Sequence, residues 1–205
     1  MVKSKEKQRG KVRKQRAKFV VIGAEGKNKT ERNYFHDFFR TNKEYKVKFS
    51  SSGDTDPEGI VNDTIKYIEK EEINLNDGDV AFCFVDTDTD ITKQPQIDKA
   101  LKLASDNGIE LLLSNPCFEV WFIQHFNYST RSFANNAAVI AELQKHIPSY
   151  EKNTSAYSQL VGKTEDAINN AEKLEKYHDG LGNKEKHISR NPSSEVFKAI
   201  KAFKQ

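Results

Sequence analysis

"VAFCFVDTDTDI", residues 80–91, is the stretch that decides the fold. Its first six residues are apolar without a break, the pattern of a strand covered on both faces, and such strands belong to parallel sheets flanked by helices. Asp86, Asp88 and Asp90 follow, alternating with Thr87 and Thr89. Side chains in an extended stretch alternate with period two, so the three carboxylates are expected on one side. Carboxylates at close range repel unless a cation or a proton neutralises them. The run therefore reads either as a solvated turn with Asx bonding or as a metal site.

Outward from this strand, the chain alternates between strand and helix patterns. "KFVVIGAEG" (18–26) is an apolar run of strand length ending at Gly23, and "TERNYFHDFFRTN" (30–42) is helical, with Tyr34, Phe35, Phe38 and Phe39 on one broad face. "YKVKFS" (45–50) alternates like a second strand. "DPEGIVNDTIKYIEKEE" (56–72) opens on an Asp–Pro helix start and carries Ile60, Val61, Thr64, Ile65 and Ile68 at helical spacing. "NLNDGD" (74–79) is a turn, residues 95–107 read as a helix, and "IELLLS" (109–114) is a further apolar strand. Parallel neighbours need crossover helices, so the pattern predicts an α/β class: a mostly parallel, doubly wound sheet of about four strands over residues 18–126. From residue 135 onward only amphipathic helical patterns follow, at 135–147, 162–178 and 193–204, so residues 127–205 are expected as a helical extension packed on the core.

With 205 residues the chain suits one domain of ordinary size. No apolar run approaches the ~20 residues of a membrane helix, and the N-terminus lacks a signal block, so the chain reads as soluble and cytoplasmic, with no membrane partner. Cys83 and Cys117 read as small core residues, and the five histidines show no paired ligand spacing. The net charge is +3. Residues 1–18 hold nine Lys or Arg and one Glu, a balance of +8, which leaves −5 for the rest. The segment 1–17 reads as a basic, disordered tail. It is either simply solvated or an arm whose Lys11, Arg13, Lys14 and Arg16 contact phosphates.

Ligands in open α/β sheets bind beyond the carboxyl ends of the strands. Three acidic features fall there: Glu25 after the first strand, the aspartates after the third, and Glu119 after the fourth. A calcium loop counted from Asp86 fails, with Ile91 where glycine is needed and Ile97 where glutamate is needed. A P-loop fails as well, because Gly23 is three residues before Gly26 and Lys27 is followed by Asn28. Glu25 remains as a carboxylate in a glycine-flanked turn, with Lys27 and Lys29 either surface charge or phosphodiester contacts. Glu31, near the start of the next helix, reads as favouring the helix dipole ahead of a catalytic role. "NPCFEVWFIQHF" (115–126) and "NPSSEVFKAIKAF" (191–203) both read as Asn-capped helices with proline at the first position, placing Glu119 and Glu195 in first turns. Trp121, Phe122 and Phe126 are expected in the core. Hard divalent cations take oxygen ligands, so Asp86, Asp88, Glu25 and Asp90 are candidate ligands of Mg²⁺ or Mn²⁺.

"EGKNKTERNYF", "FVDTDTD", "NPCFEVWFIQHF" and the late "NPSSEVF", in that order, resemble the RloB family of bacterial defence-associated proteins, whose core looks like a Toprim domain. The resemblance covers most of residues 18–203. In Toprim proteins a Glu follows the first strand and a D-x-D a later one, positions that match Glu25, Asp86 and Asp88. Asp90 and Glu119 are not part of that minimal pattern. The resemblance implies divalent-metal phosphodiester chemistry, with Glu25, Asp86 and Asp88 as catalytic residues; Glu119 joins them as a catalytic candidate on its expected place at the same sheet edge alone. It further implies a defence role beside an ABC-type or OLD-like ATPase partner. Three functions are open: a nuclease on DNA or RNA in antiviral defence, a sensor or partner subunit of the ATPase with a modulatory acidic site, and an RNA-processing Toprim nuclease. A homo-oligomer is compatible with each.

Overall fold

The computed structural model describes residues 16–25, 29–50, 56–152, 154–183 and 187–203. The elements run β1 (Lys18–Ala24), α1 (Lys29–Phe39), β2 (Tyr45–Phe49), α2 (Pro57–Lys70), β3 (Val80–Asp86), α3 (Gln94–Asp106), β4 (Glu110–Asn115), α4 (Glu119–Gln124), α5 (Asn136–Leu143), α6 (Tyr157–Leu160), α7 (Thr164–Gly180), β5 (Ser193–Ser194) and α8 (Val196–Ala202). The sheet order is β2-β1-β3-β4-β5. The first four strands are parallel and β5 is antiparallel to β4, the α/β class expected.

Strand parity assigns every side chain to a layer. Val20, Ile22, Phe82, Phe84 and Leu112 face one way and pack under the aromatic stripe of α1 together with α4, α5, α7 and α8. Val21, Ala81, Cys83, Val85, Leu111 and Leu113 face the other way, under α2 and α3. Both faces of β3 are thus covered, as its unbroken apolar run required. The two cysteines are buried and unbridged. Asp56 caps α2, its carboxylate accepting from the Gly59 amide at 2.9 Å, with Pro57 at the first helical position.

The antiparallel fifth strand is a departure from the sequence reading, which found no strand after residue 135. It is two serines long and has no hydrophobic alternation to reveal it. The two Asn-Pro segments were also misread as helix starts. Asn115 is the last residue of β4, buried, and its Nδ2 donates to the carbonyls of His187 and Ile188 at 3.2 and 2.8 Å. Asn191 exchanges two bonds with Phe133, accepting from its amide at 3.0 Å and donating to its carbonyl at 2.7 Å. Both amides tie distant segments together instead of capping. The repeated segments lie side by side, Asn115 opposite Ser193 and Ser114 opposite Ser194. Glu195 closes this sheet edge: its Oε2 accepts from the Leu113 amide at 2.9 Å.

At the amino edge of the sheet, Asp79 is a buried knot. It accepts from the amides of Phe19 and Asn74 at 2.8 and 3.0 Å and from both terminal nitrogens of Arg16 at 3.0 Å. Burial pushes its carboxyl up, but the Arg16 fork and the two amides outweigh that and hold it below the ordinary carboxylate range. This stabilisation is present above the usual pKa of aspartate and is lost as acid protonates the group. Asp79→Ala should cost about 3 kcal/mol, because two amides and a guanidinium lose their acceptor at once. Urea unfolding would read it as a lower midpoint at unchanged slope.

Candidate active site

β3 delivers Asp86 to the carboxyl edge, and parity fixes where its carboxyl goes. It continues the series Val80, Phe82, Phe84, on the face that α1 and α4 cover. There it lies within the electrostatic reach of Glu31 from the first turn of α1 and Glu119 from the first turn of α4. Desolvation raises the Asp86 carboxyl well above its ordinary range; repulsion by Glu31, Glu119 and Glu25 adds to this, and Lys152 offsets part of it. Burial likewise pushes Glu31 up to about 8, tempered by its own backbone amide and reinforced by Glu119 and Glu25. Glu119 is buried, and its Oε1 accepts the Tyr150 hydroxyl at 3.0 Å. The Cys117 thiol is pushed up by burial and by the neighbouring Glu119 and Asp86. Lys152, whose ammonium resists burial, is nonetheless raised by Glu119, Cys117, Asp86 and Glu31.

Glu25, Asp86 and Asp88 line one open cleft of about 220 Å³, with Asp56, Lys93 and Gln96 on its other walls. The structure thus brings together three residues at the carboxyl ends of β1 and β3. Glu119 does not line this cleft, although its charge acts on Asp86. Asp88 is no longer extended. β3 ends at Asp86 and the chain turns at Asp88 with φ 51°, a left-handed conformation that Asp tolerates. The expected alternation of the three aspartates on one side ends with that turn. Lys93 Nζ reaches Asp88 Oδ2 at 2.6 Å, and its ammonium is raised by that bond. Asp90 does not line the cleft: its Oδ1 accepts from the Thr92 amide at 3.0 Å and the Thr92 hydroxyl at 2.7 Å, bonds that hold its carboxyl below the ordinary range and secure the turn Ile91–Lys93.

The expected basic contacts divide. Lys29 is exposed at the first residue of α1, beside the edge that carries Glu25. Arg16 is engaged by Asp79 at the amino edge, the opposite end of the strands from the cleft. Lys11, Arg13, Lys14 and Lys27 lie outside the described residues.

Two site residues escaped the sequence reading, Lys93 and Lys152, and Glu31 was read for the helix dipole ahead of catalysis. Glu31 left a signal, since it falls three and four residues before Tyr34 and Phe35, on the apolar stripe of α1. A carboxylate on such a stripe is placed for chemistry more than for the dipole. The lysines carried no signal of comparable kind.

Whether the site suits a divalent cation can be judged from its donors. Among the described residues, no three carboxylate, histidine or cysteine side chains are grouped as a ready cage. The chemistry of the donors still fits a hard cation. All are carboxylate oxygens, their mutual repulsion calls for a neutralising charge, and buried Glu31 Oε2 has no hydrogen-bond partner among the described residues.

No curated protein and no solved structure matches the chain. A family model described as RloB-like protein matches residues 20–203, nearly the whole chain, so the protein with this edge of carboxylates belongs to the RloB-like family.

Proposed function

We propose that the chain is a cytoplasmic, metal-dependent phosphodiester hydrolase, a nuclease acting on DNA or RNA in bacterial antiviral defence. The observation that carries this reading is that Asp86, Glu31 and Glu119, from three different elements, act on one another electrostatically at one sheet edge, where buried Glu31 Oε2 lacks a hydrogen-bond partner among the described residues. Structural roles do not require such a gathering, because buried charge of one sign is costly unless something neutralises it. The match of Glu25, Asp86 and Asp88 to the Toprim pattern supports the same chemistry. When bound, Mg²⁺ or Mn²⁺ supplies charge neutralisation and an activated water for hydrolysis.

Asp86 and Asp88 would hold the cation at the end of β3, with Glu25 across the cleft. Glu31 keeps a proton at its carboxyl at neutral pH when no cation is present. Tyr150 fixes the orientation of Glu119 through its hydroxyl. Lys93 and Lys152 bring positive charge to the same edge, where a phosphodiester would lie.

A second reading, a sensor or partner subunit of an ABC-type or OLD-like ATPase, draws on the Lys93 bond to Asp88 and on the absence of a ready cage among the described residues. In that reading the acidic edge is held off until a partner or a nucleic acid draws Lys93 away. Calorimetric titration with Mg²⁺ and Mn²⁺, alongside cleavage of mixed DNA and RNA substrates, separates the two. Wild-type protein should bind the metal and cleave, and the double substitution Asp86→Ala with Asp88→Ala should lose both. Equal binding by the two proteins, or none by either, would defeat the metal site and move the function to the partner reading.

A further inference from the structure

We infer that the solvent face of α1 is a docking ridge for one phosphate backbone of a nucleic acid, leading to the acidic edge. From Lys29 to Arg40 the fully exposed residues are Lys29, Arg32, His36 and Arg40, three cations and an imidazole with no carboxylate among them. At about 100° per residue they fall within an arc of about 80°, a single row. A polar outer face is ordinary for an amphipathic helix, but a soluble surface normally intersperses both signs. The longer helices do so, with Glu69 beside Lys70 exposed on α2, Asp98 beside Lys99 on α3, and Asp166 and Lys173 on α7. Residues 19–205 sum to −5, so the row locally reverses the charge of the body that carries it.

The two carboxylates of α1 stand off the row. Glu31 is buried, and Asp37 is half-buried, one oxygen accepting the Ser155 hydroxyl at 2.5 Å and the other lying 3.5 Å from His36 Nδ1. Arg32 lies over the Phe49 ring at 5.0 Å, a contact that steadies the guanidinium at the surface, and its planar fork suits a phosphate. β1 and β2 are parallel, so α1 runs back along the sheet from the edge where Glu31 acts on Asp86. Lys29 and Arg40 are eleven residues apart. At about 1.5 Å per residue that is about 16 Å, the span of about five phosphates of one strand at about 3.4 Å each.

One narrow row fits the backbone of one strand. Contacts to phosphates carry no sequence information, so binding along the ridge is indifferent to sequence. The inference rests on the nuclease reading for the chemistry at the end of the ridge, and not for the binding itself.

Fluorescence anisotropy of labelled, mixed-sequence single-stranded DNA, single-stranded RNA and duplex DNA, titrated with the full chain in chelator, tests the ridge without cleavage. The wild type should bind at least one of the three, less tightly as salt rises. Arg32→Gln with Arg40→Gln should weaken that binding about tenfold or more at low salt and lower the slope of log affinity against log salt by about 1.5, the share of two phosphate contacts. Lys99→Gln with Lys102→Gln removes as much charge from exposed positions of α3, on the opposite face of the sheet, and should stay within about twofold of wild type. Both double variants should keep the wild-type melting temperature. Equal losses in the two would reduce the effect to net charge and overturn the ridge, as would an unchanged salt slope in the Arg32 and Arg40 variant or a wild type that binds none of the probes. Binding of phosphatidylserine vesicles in place of oligonucleotides, lost on the same substitutions, would overturn it in favour of a lipid surface. Calorimetric Mg²⁺ titration of the same variant is expected to match wild type. A ridge that fails in protein that binds metal and cleaves leaves the nuclease standing, and a ridge that holds in protein that binds no metal survives the failure of the nuclease.

Discussion

Glu31→Gln will raise the stability of the metal-free protein at pH 8 by a few kcal/mol and flatten its dependence on pH. An unfolded glutamate holds its proton only below about 4.5, whereas folded Glu31 holds it up to about 8. Between those values the native state binds more protons than the unfolded one, so stability falls as pH rises. Every tenfold difference in proton affinity between the two states corresponds to about 1.4 kcal/mol. The contribution is fully present below the unfolded pKa and is lost as pH climbs through the folded one. Glutamine removes the ionisation while keeping the shape, and its amide can donate toward Asp86 and Glu119. For a chain of this size about 1 kcal/mol moves the midpoint by roughly 2–4 °C. A rise of about 5–10 °C at pH 8, shrinking toward zero at pH 5, is therefore expected in chelator-treated protein. Scanning calorimetry across that pH range checks it, and a wild-type melting temperature that does not fall from pH 5 to pH 8 would show that Glu31 ionises freely. The same substitution should weaken Mg²⁺ binding. Stability gained where ligand binding is lost is the mark of a residue retained for function.

How much of this was legible in the sequence follows from which physics acts locally. The run Val80–Val85 had to be a covered central strand, and β3 lies between β1 and β4 with helices on both faces. Glu25 and Asp86 could be placed because both directly follow strands, and strand ends share an edge. Glu31 was harder to place, because a first-turn glutamate satisfies the dipole and its burial depends on α4, distant in sequence, packing on the same face of the sheet. Lys152 was equally hidden: it lies in the connection between α5 and α6, and only tertiary packing brings it to Asp86. The Asn-Pro segments failed for a related reason. Asn offers the same amide to a helix amide or to a distant carbonyl, and the sequence around Asn115 does not say that His187 and Ile188 will be waiting. Asp88 illustrates the limit of periodicity, since alternation holds only while the chain stays extended.

Asp86 and Asp90 should part completely on substitution, although they sit four residues apart in one repeating run. Asp86 is where burial and the charges of Glu31, Glu119 and Glu25 act together. Asp86→Asn keeps volume and removes the charge that would hold the cation, so cleavage is expected to fall by about 10³-fold, a loss of roughly 4 kcal/mol of transition-state stabilisation. Folding should not suffer, because a neutral amide is easier to bury than a carboxylate repelled by Glu31 and Glu119. Asp90 holds a turn through Thr92 and faces solvent. Asp90→Asn retains a side-chain oxygen for that turn and should change stability by about 0.5 kcal/mol or less, with cleavage within about twofold of wild type. Single-turnover cleavage at saturating Mg²⁺, paired with urea unfolding of each variant, measures both. Equal losses in the two variants would mean that the whole run acts as one acidic patch. An inactive Asp90→Asn beside an active Asp86→Asn would place the cation at the outer loop and leave Asp86 and the buried Glu31 and Glu119 without a catalytic task.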